Sequence, residues 1–464
     1  MPAIHFYDAI TAGKTAAEGQ LVRYHSIFVT GEAAPEILMS AIKLRDDVYV
    51  DPLAAAKGEL AELDLMLGES ELEWARTAFR HFMTNDCLHV GFGNSARLDP
   101  YIRYGMYRNL LPYPCIGLPE ASHFLDVETL LRSVALLRPE DFPWPESVRT
   151  LPMPALHRFL MWEADVNGTN RAVLVKEILE DLAGASPKLI EHAIRTSSIE
   201  SIKTCLGLDG GEVSDLQSVK PCLMVHPLIP HPRGAILALP VAVDITYPDI
   251  VYVADLESDL SALCDPNVES LQALVRVSPT DLHKPLIRVS LSRAPFCAAI
   301  GVVRPKDASR LAIDIRTVLA NVQYLRTADH LAARLRDEPI LELASQPADV
   351  DHRMWAGDFH QADVQRMQRL HEQPIDQWPA IIGSGIDGRF RELGSRLLGR
   401  MKPELLAAGQ RETLARHFQN KAAGNFQTSE RLAHLRKQSQ DVAMESPNAL
   451  GLVQLNERLA RILG

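Results

Sequence analysis

Between residues 219 and 303 four β-branched runs follow one another, "KPCLMVHPLI", "GAILALPVAVD", "DIVYVADL" and "KPLIRVSLSRAPFCAAIGVV", with Pro, Asp and Gly between them. Short apolar runs punctuated by turn residues predict a small antiparallel sheet or barrel. This block divides the chain in three. Before it, "AIHFYDAI" and "LHVGFGN" read as buried strands. "ESELEWARTAFRHFMTN" and "LDVETLLRSVALLRP" carry apolar residues at helical spacing. The Pro-rich "LRPEDFPWPE" ends the second of these helices, and "NRAVLVKEILEDLAG" opens after Asn170, a plausible N-cap, and closes at Gly184. After about residue 345 the pattern is helical, in "HQADVQRMQRLHEQ", "RFRELGSRLLGRMKPELLAAG", "QRETLARHFQNKAAG" and "NALGLVQLNERLARILG". The expected architecture is α/β + β + α, with domains at 1–200, 201–345 and 346–464.

A chain of 464 residues has room for two or three cores. No run approaches 18 uncharged apolar residues, and no basic segment precedes an apolar one at the N-terminus. The expectation is a cytoplasmic protein with no membrane partner. The six cysteines are scattered, without the C-x-x-C spacing of zinc or redox sites, and read as buried free thiols. No H-E-x-x-H is present; His226 and His231 in "HPLIPHPRG" read as loop residues. The net charge of −11 argues against a nucleic-acid binder over its whole surface. From Ala380 to Gly464, however, 13 Lys/Arg stand against 8 Asp/Glu, a surplus of 5. A local basic surface can focus a polyanion, although a solvated helical face has the same composition.

Five strings in order resemble bacterial exodeoxyribonuclease I, a single-strand 3′→5′ exonuclease of the DEDD superfamily. "FYDAITAG" resembles the family's first motif, F-x-D-x-E-T-x-G, and "GFGNSARLDPYIRYGMYRNLL" resembles its second. "LLRPEDFPWPE", "APFCAAIGVVRPKDASRLAID" (with "KPCLMVHP") and "WAGDFHQADVQRM" resemble later segments. The resemblance implies a ribonuclease-H-like exonuclease domain, an SH3-like β domain and a C-terminal helical domain. Together these would form a C-shaped body around a groove for single-stranded DNA.

The family's chemistry uses two divalent metals held by clustered carboxylates, with a histidine as general base. Carried over by resemblance, Asp8 matches the first aspartate but Ile10 stands at the glutamate two residues on. Asp99 matches the second-motif aspartate once one extra residue is allowed in the preceding turn. In the third motif Val166 falls at the base and Arg171 at the last aspartate, and no His lies between His157 and His192. These degenerate positions imply a pseudo-nuclease that requires no cofactor, with Asp8 and Asp99 as residual metal ligands and Arg171 free to pair with them. Mg²⁺ enters only under the alternative of an active 3′→5′ exodeoxyribonuclease with rearranged ligands.

Binding of single strands needs basic and aromatic side chains rather than metals. The candidates are Arg103, Tyr104, Tyr107 and Arg108 in "YIRYGMYRN" and Arg396, Arg400 and Lys402 in "SRLLGRMKP", of which Arg108 and Arg400 match family arginines. Arg138 and Arg304 match family arginines that receive the acidic C-terminal tail of single-stranded DNA-binding protein, while His192 and Ala299 replace a tyrosine and a glutamine there. The expected function is a non-catalytic binder of single-stranded 3′ ends in DNA repair or anti-phage defence, with possible partner subunits. A scaffold that no longer binds DNA is the third reading.

Overall fold

The computed structural model describes residues 3–13, 15–31, 33–48, 67–112, 122–149, 155–157, 159–161, 168–208, 213, 215–244, 247–328, 330–337 and 347–425. Cys115, Val166 and "NALGLVQLNERLARILG" lie outside the described residues, as does the part of the C-terminal basic surplus beyond residue 425.

The N-terminal sheet has five strands in the order β3-β2-β1-β4-β5: β1 Ala3–Ala12, β2 Gln20–Val29, β3 Glu36–Ala41, β4 Cys87–Gly91 and β5 His123–Asp126. The first three pair antiparallel, while β4 and β5 run parallel to β1. Side chains alternate along β1. Tyr7 and Ala9 pack with Tyr24, Trp74, Phe82 and Met106 on one face, under helices α1 (Glu71–Phe82) and α2 (Asp99–Arg108). Phe6 joins the main core on the other, against α3 (Val127–Leu137) and α4 (Arg171–Ala185). A capping box from Ser70 starts α1, and Asn170 caps α4 by accepting from Ala172 N. Helix α4 runs through Gly184 to Ala185 and stops at Ser186, where Pro187 begins α5 (Pro187–Arg195).

The second sheet is wholly antiparallel, in the order β10-β6-β7-β8-β9: β6 Cys222–Val225, β7 Ala235–Val243, β8 Ile250–Asp255, β9 Leu286–Ser290 and β10 Phe296–Ala299. Its core is continuous with that of the first sheet. The span expected to be β also carries helices, α6 (Ile315–Leu325) and α7 (His330–Asp337). The C-terminal helices α8 (Gln361–Glu372), α9 (Trp378–Gly383), α10 (Gly388–Met401) and α11 (Ala408–Asn425) pack on a separate cluster that includes Leu72, Tyr107 and Leu110 of the first unit.

Candidate functional site

Asp8 projects from the middle of β1 and is completely buried. Its oxygens are both occupied. Arg97 Nη2 donates to Oδ1 at 3.0 Å, Arg171 Nη1 donates to Oδ2 at 3.2 Å, and His157 Nε2 lies 3.7 Å from Oδ2. Burial alone would raise the carboxyl's pKa, but Arg97, His157 and Arg171 outweigh it and hold the group far below the usual carboxylate range. Ile10, two residues along the same face, is buried aliphatic surface.

Arg97 reaches Asp8 because of an unusual turn. Residues Asn94–Leu98 form one turn of π-helix, closed by the Asp99 N–H donating to Asn94 O. A π-turn holds one residue more than an α-turn. It leads directly into α2, which has Pro100 in its first turn. It also separates Arg97 from Asp99. Arg97 turns to Asp8, with further bonds to Phe92 O at 2.9 Å and Ala9 O at 3.3 Å. Asp99 accepts instead from Tyr7 Oη at 3.2 Å. Since Tyr7 and Asp8 point to opposite faces of β1, the expected convergence of Asp8 and Asp99 fails. Burial raises the pKa of Asp99, opposed by Arg103, Tyr7 and Arg293.

These residues do not fit a divalent metal. Such ions need several oxygen ligands, and here one carboxylate is closed by two guanidiniums. Among the described residues the metal-type donors that crowd together are Asp47, Asp351 and His417, far along the chain from this motif, and Lys421 Nζ already sits 2.8 Å from both aspartates.

Several residues expected at a DNA surface are structural. Tyr107 is buried and donates to Val350 O at 2.9 Å. Arg108 is buried, donating to Glu71 Oε1 at 2.8 Å and to the carbonyls of Ala16 and Ala17. Arg400 turns inward to the carbonyl of Arg108 at 3.2 Å, and Arg396 is spent on Asp349, Asp351 and Glu392. The sequence motif had the right residue types, but a cation beside an aromatic serves equally to clamp two units together. Tyr104 is half-buried and packs edge-on against Tyr107. Lys402 stays partly exposed and pairs with Asp376 at 3.2 Å.

Arg103 is different. Its guanidinium lies 5.9 Å from the ring centre of Trp355, which is 57% exposed. Arg293, from the turn before β10, donates to Ser95 O at 3.3 Å and shares the field of Asp99 and Arg103. The three units therefore meet at Arg103, Arg293 and Trp355. Trp355 opens the string "WAGDFHQADVQRM", and its exposure becomes visible only in the fold. His226, read as a loop residue, is buried at this junction, with Nε2 2.8 Å from Ser95 Oγ.

On another side, a cavity of about 450 Å³ is lined by Arg138, Lys188, His192, Phe296, Ala298 and Ala299, among others. Arg304 does not line it. Its guanidinium is engaged by Glu140, Asp307 and the carbonyl of Leu137.

The Exonuclease I SH3-like domain family matches residues 211–338. Exodeoxyribonuclease I of Escherichia coli K12 is 24% identical over 434 residues, covering 89% of this chain and 88% of that protein. The enzyme of the same name from Buchnera aphidicola (subsp. Baizongia pistaciae, strain Bp) is 22% identical over 366 residues, 74% and 71% of the two chains. E. coli exonuclease I in complex with a dA16 oligonucleotide superposes with a TM-score of 0.79 at 20% identity, over 99% of each chain. A structure of SSB/exonuclease I with the inhibitor CFAM gives 0.79 over 99% and 98%. No helix among the described residues is long and apolar enough to cross a membrane. The chain is thus similar to exodeoxyribonuclease I over most of its length and shares the fold of E. coli exonuclease I, a nuclease domain, an SH3-like domain and a helical C-terminal region.

Proposed function

We propose that this chain binds single-stranded DNA at 3′ ends without cutting it. The observation that carries this reading is the closure of Asp8 by Arg97 and Arg171 in the nuclease fold. A cation pair in place of further carboxylates removes the charge that two metals need. Strand binding survives such a loss, because it rests on backbone neutralisation and base stacking. Arg103, Arg293, Trp355 and Lys402 are the residues proposed for it. A strand-holding subunit of a repair or anti-phage assembly fits this chemistry.

The test is an assay on 3′-ended single strands in Mg²⁺ and in Mn²⁺, beside a binding titration at several salt concentrations. No mononucleotide should be released. Binding should favour single strands over duplex and weaken with salt, with a slope of about −0.7 per phosphate contacted. Mononucleotide release abolished by Asp8→Ala would overturn the reading in favour of a Mg²⁺-dependent 3′→5′ exonuclease. His157 beside Asp8 is the observation that favours that alternative, since an imidazole there can act as a general base. Absence of any binding would leave the scaffold.

A partner is proposed at the cavity by Arg138. Its basic rim of Arg138 and Lys188 over the apolar Phe296 and Ala298 suits an acidic, apolar-ended peptide such as the C-terminal tail of single-stranded DNA-binding protein. Peptide binding measured by fluorescence anisotropy should be lost in Arg138→Ala, and Arg304→Ala should matter less.

A further inference from the structure

We infer that the vacated metal site has become an anion site, and that Arg97 with His157 receives the terminal phosphomonoester of a 3′-phosphorylated single strand. The inference rests on the reading of this chain as a binder of single-strand ends.

The two arginines at Asp8 differ in burial. The Arg171 side chain is 5% exposed and holds Oδ2 from within the core side of the sheet. The Arg97 side chain is 38% exposed and covers the same carboxylate from solvent. Arg171 and the fold keep Asp8 ionised, so Arg97 is the group whose donors a ligand can share. Its position is set by the π-turn and by the carbonyls of Phe92 and Ala9, which hold the guanidinium at the exposed edge of the site. His157 stands beside it, with Nε2 3.1 Å from Arg97 Nη2 and its ring 4.8 Å from that of Phe92. Glu128, the acidic neighbour beyond Gly93, has its Oε1 paired with Arg132 at 2.7 Å, so this pair adds no net charge beside Arg97.

The ligand class follows from charge and shape. A planar guanidinium presents paired N–H donors that match phosphate oxygens. A terminal phosphomonoester carries about −1.5 to −2 charges against −1 for an internal diester, and has three oxygens free to accept. Among the described residues two guanidiniums face a single carboxylate, so a dianion is favoured here over a cation. Where a metal-dependent relative would work on the terminal linkage, this chain would hold the terminal group.

The experiment compares one fluorescent oligonucleotide with a 3′-hydroxyl, a 3′-phosphate or a 5′-phosphate end, on the full chain without added metal. The 3′-phosphate strand should bind roughly tenfold more tightly than the other two, as expected for charge-assisted hydrogen bonds. Arg97→Gln should abolish that advantage while leaving binding of the 3′-hydroxyl strand within about twofold, and Arg97→Lys should keep part of it. In parallel, inorganic phosphate should raise the melting temperature of the wild type and not of Arg97→Gln. Equal affinity for all three ends, or an advantage that persists in Arg97→Gln, overturns the inference while leaving single-strand binding intact. If no strand binds at all, the function proposed above fails, and stabilisation by inorganic phosphate then decides whether the anion site stands.

Discussion

Asp8 and Asp126 show how similar burial leads a carboxyl to opposite states. Asp8 faces cations, and its charge is stabilised. Asp126 caps α3 and accepts from Gly93 N, Glu128 N and Ser95 Oγ, yet burial and the nearby Glu128 push its pKa up to about 6. Because its folded pKa exceeds the unfolded value near 3.9, ionising it between about pH 4 and 6 costs stability as pH rises. Asp126→Asn should therefore flatten the stability profile over that window, and its penalty should be smaller at pH 7.5 than at pH 4, read by denaturant titration at each pH. Arg171→Ala acts in the other direction. It removes one of two guanidiniums from a buried carboxylate and should destabilise by roughly 1–3 kcal/mol, below the range for stripping a buried charge of its sole partner, since Arg97 remains. Added Mg²⁺ should recover little of this loss in a thermal melt, because Asp99 is turned to the opposite face of β1.

Among the elements, strands and helices were legible wherever periodicity was strong. The β-branched runs at 219–303 became β6 to β10, and Asn170 caps its helix. Of the N-terminal sheet only β1 and β4 were legible as strands; β2, β3 and β5 and the pairing order were not. The π-turn was not legible in the sequence, yet it shapes the site, since Arg97 within it reaches Asp8 while Asp99 just after it pairs with Tyr7. Nothing local in the sequence marks Arg97 or His157, because their shared partner Asp8 is distant in the chain. The same limit explains Arg108 and Arg400, whose partners come from other elements, and Arg396, which reaches Asp349 and Asp351 besides Glu392 on its own helix. Helix α11 carries the pH-sensitive member of this set. His417 lies against Asp47, Asp349 and Asp351, with Lys421 and Arg396 alongside. Burial lowers its pKa, but Asp349 and Asp47 raise it above the ordinary value overall. Its contribution is full below about pH 6.5 and fades as pH rises through the higher folded value. Amide-exchange protection along 408–418, with the intrinsic pH dependence of exchange divided out, should fall as pH rises above about 6.5, and His417→Gln should remove that fall.

For the whole molecule, the joint with the helical region sets a buried polar cluster beside the apolar packing of Leu72, Tyr107 and Leu110. Glu71 on α1 receives Arg45, Arg108 and Asn109, with Arg400 of the helical region close by, and these cations pull its pKa down to about 2 against burial. Glu71→Gln should cost about 3–5 kcal/mol, the range for a buried ion set deprived of its counter-charge. The wild type should lose the same contribution as pH falls from about 4 toward 2. A second transition in urea for Glu71→Gln, with the helical region unfolding first, would show that this carboxylate joins the units. One unfolding step with an unchanged midpoint would show that it does not. The π-turn has a mechanical consequence as well. Because the Asp99 N–H closes the turn on Asn94 O, Arg97 and the start of α2 are set by one backbone ring, and removing a residue from Asn94–Leu98 would rotate the start of α2 by about 100° and carry Arg97 away from Asp8 unless the turn re-formed.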